Sequence, residues 1–157
     1  MGSAEDGWEF QDLGGAVHRM GEWRGRWVLI RFGRTTCPSC ADLIEEIAAV
    51  HGQVRALGVE VLDIYLGEAP ETVQKYWAKK PFDYRPTIWC APQVTMARSV
   101  VQQYGISFFP HLLLVDPKGA GIWHGQYLAG PELVEVLIRE MKDQPGLSRS
   151  PGPEDNQ

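Results

Sequence analysis

Short apolar runs alternate along this chain with stretches in which apolar residues recur every three or four positions, and glycines and prolines stand where the pattern changes. Trp27-Val28-Leu29-Ile30-Arg31-Phe32, bounded by Gly25 and Gly33, has the β-branched and aromatic make-up of a buried strand. From Cys40 the spacing changes. Leu43, Ile47, Val50, Val54 and Leu57 fall at alternating steps of four and three, one face of a helix that Gly58 closes. Val59 to Leu66 predicts a second strand, and Glu71 to Lys80 a helix between Pro70 and Pro81. Thr87 to Cys90 predicts a third strand, and Gln93 to Tyr104 a helix ended by Gly105. His111 to Val115 and Gly121 to Tyr127 predict two strands about the turn Asp116-Pro117-Lys118-Gly119. Pro131 to Met141 predicts a closing amphipathic helix carrying Leu133, Val134, Leu137, Ile138 and Met141. Residues 1–24 are polar and glycine-rich with scattered Trp8, Phe10, Leu13 and Val17, which reads as an arm or short hairpin laid over a core.

This order of elements predicts an α/β domain: parallel strands joined by crossovers, an antiparallel edge, and helices on both faces of a mixed sheet. A chain of 157 residues is long enough for one such core and short for two. The expected division is a flexible arm or tag over residues 1–9, a domain over 10–142, and a disordered tail over the proline-rich residues 143–157. Acidic residues outnumber basic ones, 20 against 15, and no basic stripe is present, so nothing electrostatic points to nucleic acid or an anionic membrane as partner. No apolar run approaches the roughly 18 residues of a membrane span. The most apolar stretch, Phe108 to Val115, is interrupted by Pro110 and His111. The N-terminus has neither a basic nor an apolar leader region, and Met1-Gly2-Ser3 looks like a cloning remnant, compatible with the loss of a leader or anchor.

Three cysteines are too few for a disulfide-stapled miniprotein. Two stand as Cys37-Pro38-Ser39-Cys40, between a predicted strand and a predicted helix, and Cys90 stands alone in an apolar neighbourhood as a small core residue. At a helix N-terminus, free N–H groups and the positive dipole end favour a thiolate, and Pro38 is tolerated there because a first-turn N–H has no intrahelical partner. Cys37 is therefore the expected exposed nucleophile, and Cys40, one turn below it, the buried resolving thiol. The same spacing is half of a zinc site, but Cys90, His18, His51, His111 and His124 contain no second closely spaced ligand pair. Pro110 has two readings: a proline at the start of a strand, or a cis peptide bond facing Cys37 beside backbone that a substrate segment can pair with.

These residues resemble the thioredoxin superfamily, and within it the TlpA/ResA-type redoxins. The resemblance runs from about Phe10 to Met141 and rests on Asp12-Leu13-Gly14-Gly15, on Arg24 to Phe32 leading into Cys37-Pro38-Ser39-Cys40, and on Leu66-Gly67-Glu68. It continues with Tyr104-Gly105-Ile106 ahead of Pro110 and with Leu114 to Gly119. It implies a thioredoxin fold with an N-terminal extension and an inserted helix and strand, with Pro110 as the cis-proline and Glu68 as an acidic residue near the active site. The pattern departs at Thr36, usually Trp, at Ser39, usually Pro, and at His111, often Thr; Phe109 is bulky, and Arg31 stands where thioredoxins carry a buried acid.

The resemblance implies a protein disulfide oxidoreductase working by dithiol–disulfide exchange, outside the cytoplasm, for instance as a reductant in cytochrome c maturation. No cofactor and no metal is expected. Protein thiols and disulfides are the expected partners, with an upstream electron-donor thiol protein, and the chain is expected to be monomeric. The expected catalytic set is Cys37, Cys40, Pro110 and Glu68, with Pro38, Ser39, Phe109 and His111 facing the substrate. Glu68 reads either as a solvated loop carboxylate or as a proton carrier for Cys40, which a nearby Arg31 would hold ionised. His111 reads either as a polar strand residue or as an imidazole tuning Cys37. Two other activities fit the same residues: a peroxiredoxin-like peroxidase, against which the loop Gly33-Arg34-Thr35-Thr36 lacks a proline, and a copper or zinc carrier using Cys37, Cys40 and His111.

Overall fold

Residues 4–143 are described by a computed structural model. Seven strands form one mixed sheet in the order β2-β1-β5-β4-β3-β6-β7. The strands are β1 (Phe10–Asp12), β2 (Val17–His18), β3 (Trp27–Gly33), β4 (Val59–Leu66), β5 (Thr87–Ala91), β6 (His111–Val115) and β7 (Gly121–Gly125). The helices are α1 (Pro38–Ala56), α2 (Pro70–Ala78), α3 (Val94–Tyr104) and α4 (Gly130–Lys142). Strands β3, β4 and β5 are parallel, joined by the α1 and α2 crossovers, while β6 and β7 close one side antiparallel and the β1–β2 hairpin extends the other. This is the α/β architecture the residue pattern predicts, including the added N-terminal hairpin and the helix and strand between β4 and α3.

The period of two along each strand sorts the core onto two faces. Val28, Ile30 and Phe32 of β3, with Leu62, Ile64 and Leu66 of β4, pack beneath Ala97 and Val100 of α3 and beside Trp8, Phe10 and Trp23. On the other face Leu29 and Val61 meet Leu43, Ile47, Val50 and Val54 of α1 and Leu133 and Leu137 of α4. Farther along that face Tyr65, Ile88 and Cys90 meet Ile44 of α1 and Val73 and Trp77 of α2. Arg31 of β3 and Asp63 of β4 are register partners on this second face, two charged side chains between two apolar clusters.

One expectation needs revision. The arm foreseen over residues 1–9 is built into the domain from residue 4: Ala4–Gly7 form a 3-10 turn, and Trp8 is buried with its indole N–H donating to Ser99 at 3.1 Å. Burial of a large aromatic ring outweighs the polar residues around it. His124 on β7 is exposed and shares a hydrogen bond with His111. The tail foreseen over 143–157 lies, from residue 144 on, outside the described residues.

Candidate active site

The site begins where β3 ends. The strand delivers the chain into the loop Arg34-Thr35-Thr36, and α1 starts directly after Cys37, with Pro38 in its first turn. Cys37 is the N-cap residue, extended at φ −100° and ψ 111°, and its sulfur accepts the backbone N–H of Cys40 at 3.1 Å. A helix N-terminus thus directs an otherwise unpaired amide at this sulfur, an arrangement that favours negative charge there. Cys37 and Cys40 are joined as a disulfide. Cys37 is half-buried, Pro38 and Ser39 are exposed, and Cys40 has no exposed surface. A partner sulfur can therefore reach Cys37 and not Cys40.

The second wall is the loop ahead of β6. Phe109–Pro110 is a cis peptide bond, and the Phe109 carbonyl oxygen lies 3.8 Å from the Cys37 sulfur. Pro110 is buried, Phe109 half-buried, and Phe108 is 65% exposed beside them. Ser39 Oγ sits 3.6 Å from the Cys37 sulfur.

Glu68 is buried at the end of β4, and both of its oxygens are committed to Thr35: Oε1 accepts the backbone N–H at 2.9 Å and Oε2 the hydroxyl at 2.5 Å. Its described hydrogen bonds therefore tie down the loop before Cys37. Arg31, foreseen as holding Glu68 ionised, is bonded elsewhere: its Nη2 donates to Asp63 Oδ2 at 2.5 Å and to the Tyr65 hydroxyl at 2.7 Å. The Trp77 indole N–H donates to the same hydroxyl at 2.8 Å. Burial works against the charge on Arg31, but Asp63 and Tyr65 outweigh it and raise its basicity; burial also lifts the Asp63 carboxyl above its ordinary value, against the pull of Arg31.

His111 is buried beside Phe32 and shares a 2.9 Å hydrogen bond, through its Nε2, with Nδ1 of His124 on β7. Burial first, and then the neighbouring His124, hold its pKa below the ordinary imidazole value. The Cys37–Cys40–His111 metal site is not assembled: the sulfurs bond each other, and among the described residues no group of three or more His, Cys, Asp or Glu side chains is placed to hold a metal ion. Cys90 is fully buried, and burial, then Glu68 and Asp12, push its thiol up to about 12, which fits a core residue rather than a third reactive thiol.

Thr35 and Asp63 were not singled out from the sequence, and His124 was weighed only as a metal ligand. The signal for Asp63 was present: Arg31 and Asp63 are charges in the middle of two mostly apolar strands, the other charge of β4, Glu60, standing near its start. Thr35 and His124 carry no comparable mark, because their partners are set by loop shape and by strand pairing.

A family model described as "Thioredoxin-like domain" matches residues 22–139. Among curated proteins, the thiol-disulfide oxidoreductase ResA of Geobacillus thermodenitrificans is 27% identical over 119 residues, which cover 76% of this chain and 65% of that protein. ResA of Geobacillus kaustophilus is 26% identical over the same shares. The chain thus spans just under two thirds of the length of these relatives. Among solved structures, a thiol:disulfide interchange protein from Bacteroides sp. superposes with a TM-score of 0.68 at 21% identity, covering 83% of each chain. Arabidopsis thaliana ScoI with copper bound superposes with a TM-score of 0.70 at 17% identity, covering 86% of this chain and 96% of that one. At these identities the two structures show the shared thioredoxin fold.

Proposed function

This chain belongs to the thioredoxin-like family, and from that membership we propose that it is a thiol–disulfide oxidoreductase whose reactive pair is Cys37 and Cys40. One observation carries the reading: a half-buried sulfur that caps a helix, accepts the first-turn backbone N–H of Cys40, and is disulfide-bonded to a sulfur with no exposed surface. In the dithiol form the Cys37 thiolate attacks one sulfur of a partner disulfide, and the partner's other sulfur leaves as a thiolate that takes up a proton. Cys40 then loses its proton and attacks the Cys37 sulfur of the mixed disulfide. The Cys37–Cys40 bond forms, the second partner thiolate leaves and is protonated, and two electrons have passed to the partner. The reverse sequence oxidises a partner dithiol.

Phe109, Pro38 and Ser39 form the rim that an extended partner segment meets, with the Phe109 carbonyl beside the attacked sulfur, while His111, expected to face the substrate, is buried behind that rim. Glu68 acts by fixing Thr35 in the loop before Cys37. The partners are protein thiols and disulfides, with a separate thiol protein supplying electrons; the place of work is outside the cytoplasm, on substrates such as the cysteines of apocytochromes, and the protein acts as a monomer.

Reduction of insulin disulfides, with reduced dithiothreitol supplying the electrons, tests this. The parent protein is expected to catalyse it, Cys37→Ser is not, and Cys40→Ser is expected to accumulate a mixed disulfide on Cys37. A Cys37→Ser protein that kept its activity would overturn the assignment.

A further inference from the structure

Beneath Cys40 the structure holds a cation that the exchange scheme above does not use. Arg31 rises from the middle of β3 with 1% of its surface exposed, and its Nη1 points at the first turn of α1, 3.5 Å from the Cys40 carbonyl oxygen. A methyl group built on Gly33 would stand 2.9 Å from Arg31 Nη1 and 3.3 Å from Cys40 Sγ. The guanidinium and the sulfur therefore flank one gap, and only the missing side chain of Gly33 leaves it open. Arg31 Nε and Asp63 Oδ1 have no hydrogen-bond partner among the described residues, so the buried pair keeps unused hydrogen-bonding capacity.

We infer that Arg31 is a positioning residue of the redox centre, whose buried guanidinium stabilises the Cys40 thiolate once the Cys37–Cys40 bond opens. The inference rests on the oxidoreductase reading. During resolution of a mixed disulfide, Cys40 must give up its proton where it has no exposed surface, and that burial opposes the anion. A fixed cation across the gap counters that penalty, and the proton passes to the departing partner thiolate. The other charged and titratable groups about the gap are few. Cys37 shares the turn with Cys40; Asp63 and Tyr65 of β4 lie on the Nη2 side of Arg31; Tyr84 faces the same pair across the loop before β5. His111 of β6 is held on the opposite side of the sheet by Phe32 and His124, and both oxygens of Glu68 are bonded to Thr35. Arg31 is thus the one positive charge turned toward Cys40 from the sheet.

The test titrates Cys40 alone, by thiolate absorbance in Cys37→Ser protein, where Cys90 stays protonated because its thiol is pushed up to about 12. Cys40 is expected to titrate below the ordinary thiol value of about 8.5. Arg31→Met is expected to move the midpoint up by about one to three pH units, and to slow resolution of a mixed disulfide at pH 7 by about tenfold or more when placed in the otherwise unaltered chain. Asp63→Asn, which keeps the cation and removes its counter-charge, is expected to move the midpoint down. A merely structural Arg31 would not shift it in opposite directions. Should Arg31→Met fail to fold, the parent value and Asp63→Asn decide: a midpoint above the ordinary value, or one unmoved in Asp63→Asn, overturns the inference. Insulin reduction with reduced dithiothreitol as electron donor, measured on the parent protein, separates the two proposals. Intact exchange with an indifferent Cys40 overturns the role of Arg31 alone, whereas absent exchange in folded protein overturns the oxidoreductase reading.

Discussion

Thr35 and Glu68 show how a residue identified from sequence can act through a contact that sequence does not reveal. Glu68 is legible as an acid near the cysteines, but its two oxygens are spent on Thr35. Glu68→Gln is therefore expected to weaken the loop, costing about 1–2 kcal/mol of stability in urea unfolding at pH 7 and slowing exchange. Thr35→Val, which removes only the hydroxyl, is expected to reproduce part of both effects. If Glu68 were instead the proton carrier for Cys40, Glu68→Gln would erase a limb of the pH–rate profile that Thr35→Val left intact. Histidines supply a second prediction, with opposite signs at two sites. Burial lowers the affinity of folded His111 for a proton, so the unfolded chain protonates first; its contribution to stability is complete above the ordinary value of 6.5 and is lost as pH falls through the lowered one. Bonds to Asp12 first, and then to Glu22, raise folded His18, so its contribution is complete below 6.5 and is lost as pH rises through the raised value. Urea unfolding from pH 5 to 8 is expected to show His111→Gln flattening the acid limb and His18→Gln the neutral one. Cysteines 37 and 40 were readable because covalent chemistry and helix start both show in the order of residues. His124 was not, because its nearness to His111 depends on the pairing of β6 with β7, which shifts register at Leu114/Val115.

At the scale of elements, punctuation by glycine and proline placed most boundaries, and the misplaced ends have long-range causes. Strand β4 runs over Val59–Leu66 as predicted, between Gly58 in the left-handed region at φ +85° and Gly67 at φ +78°. Helix α2 was predicted to reach Lys80 and stops at Ala78, where Arg85 donates to the Trp77 carbonyl at 3.1 Å, an end cap supplied from the loop before β5. Strand β7 was predicted to reach Tyr127 and ends at Gly125, because its partner β6 begins at His111 directly after Pro110, which has no N–H to continue the ladder. Neither cause lies in the local pattern. The contact between α1 and α4 is closest at Gly130, where an added Cβ would come within 2.8 Å of the Glu46 carbonyl oxygen and Val50 Cγ1, and where the backbone N–H donates to Glu46 Oε1 at 2.7 Å. Gly130→Ala must push α4 off α1, since a backbone oxygen cannot step aside. A loss of about 1–3 kcal/mol, read as a lower Tm with exchange chemistry per folded molecule retained, is the expected outcome.

Across the whole molecule the sheet divides stability from chemistry. The face under α1 carries the redox pair and, between its two apolar clusters, the Arg31–Asp63 pair; the opposite face carries an aromatic stack on Trp89, contributed by Phe10, His18 and Trp23 from the N-terminal segment. The residues before β3 thus enter the domain twice, by pairing β1 with β5 and by stacking on the ring that β5 presents. Their polar composition hid this, since three or four aromatic side chains anchor a segment whose other residues face water. Trp89→Ala is accordingly expected to cost about 3–5 kcal/mol and to expose amides of β1 and β2 to hydrogen exchange before those of β3 and β4. The exchange activity of the molecules that remain folded should be unchanged, because Cys37, Cys40 and Arg31 are held from the other side of the sheet. A proportionate fall in that activity would mean that the N-terminal segment supports the redox site through Glu68 at the end of β4, and the division between the two faces would have to be given up.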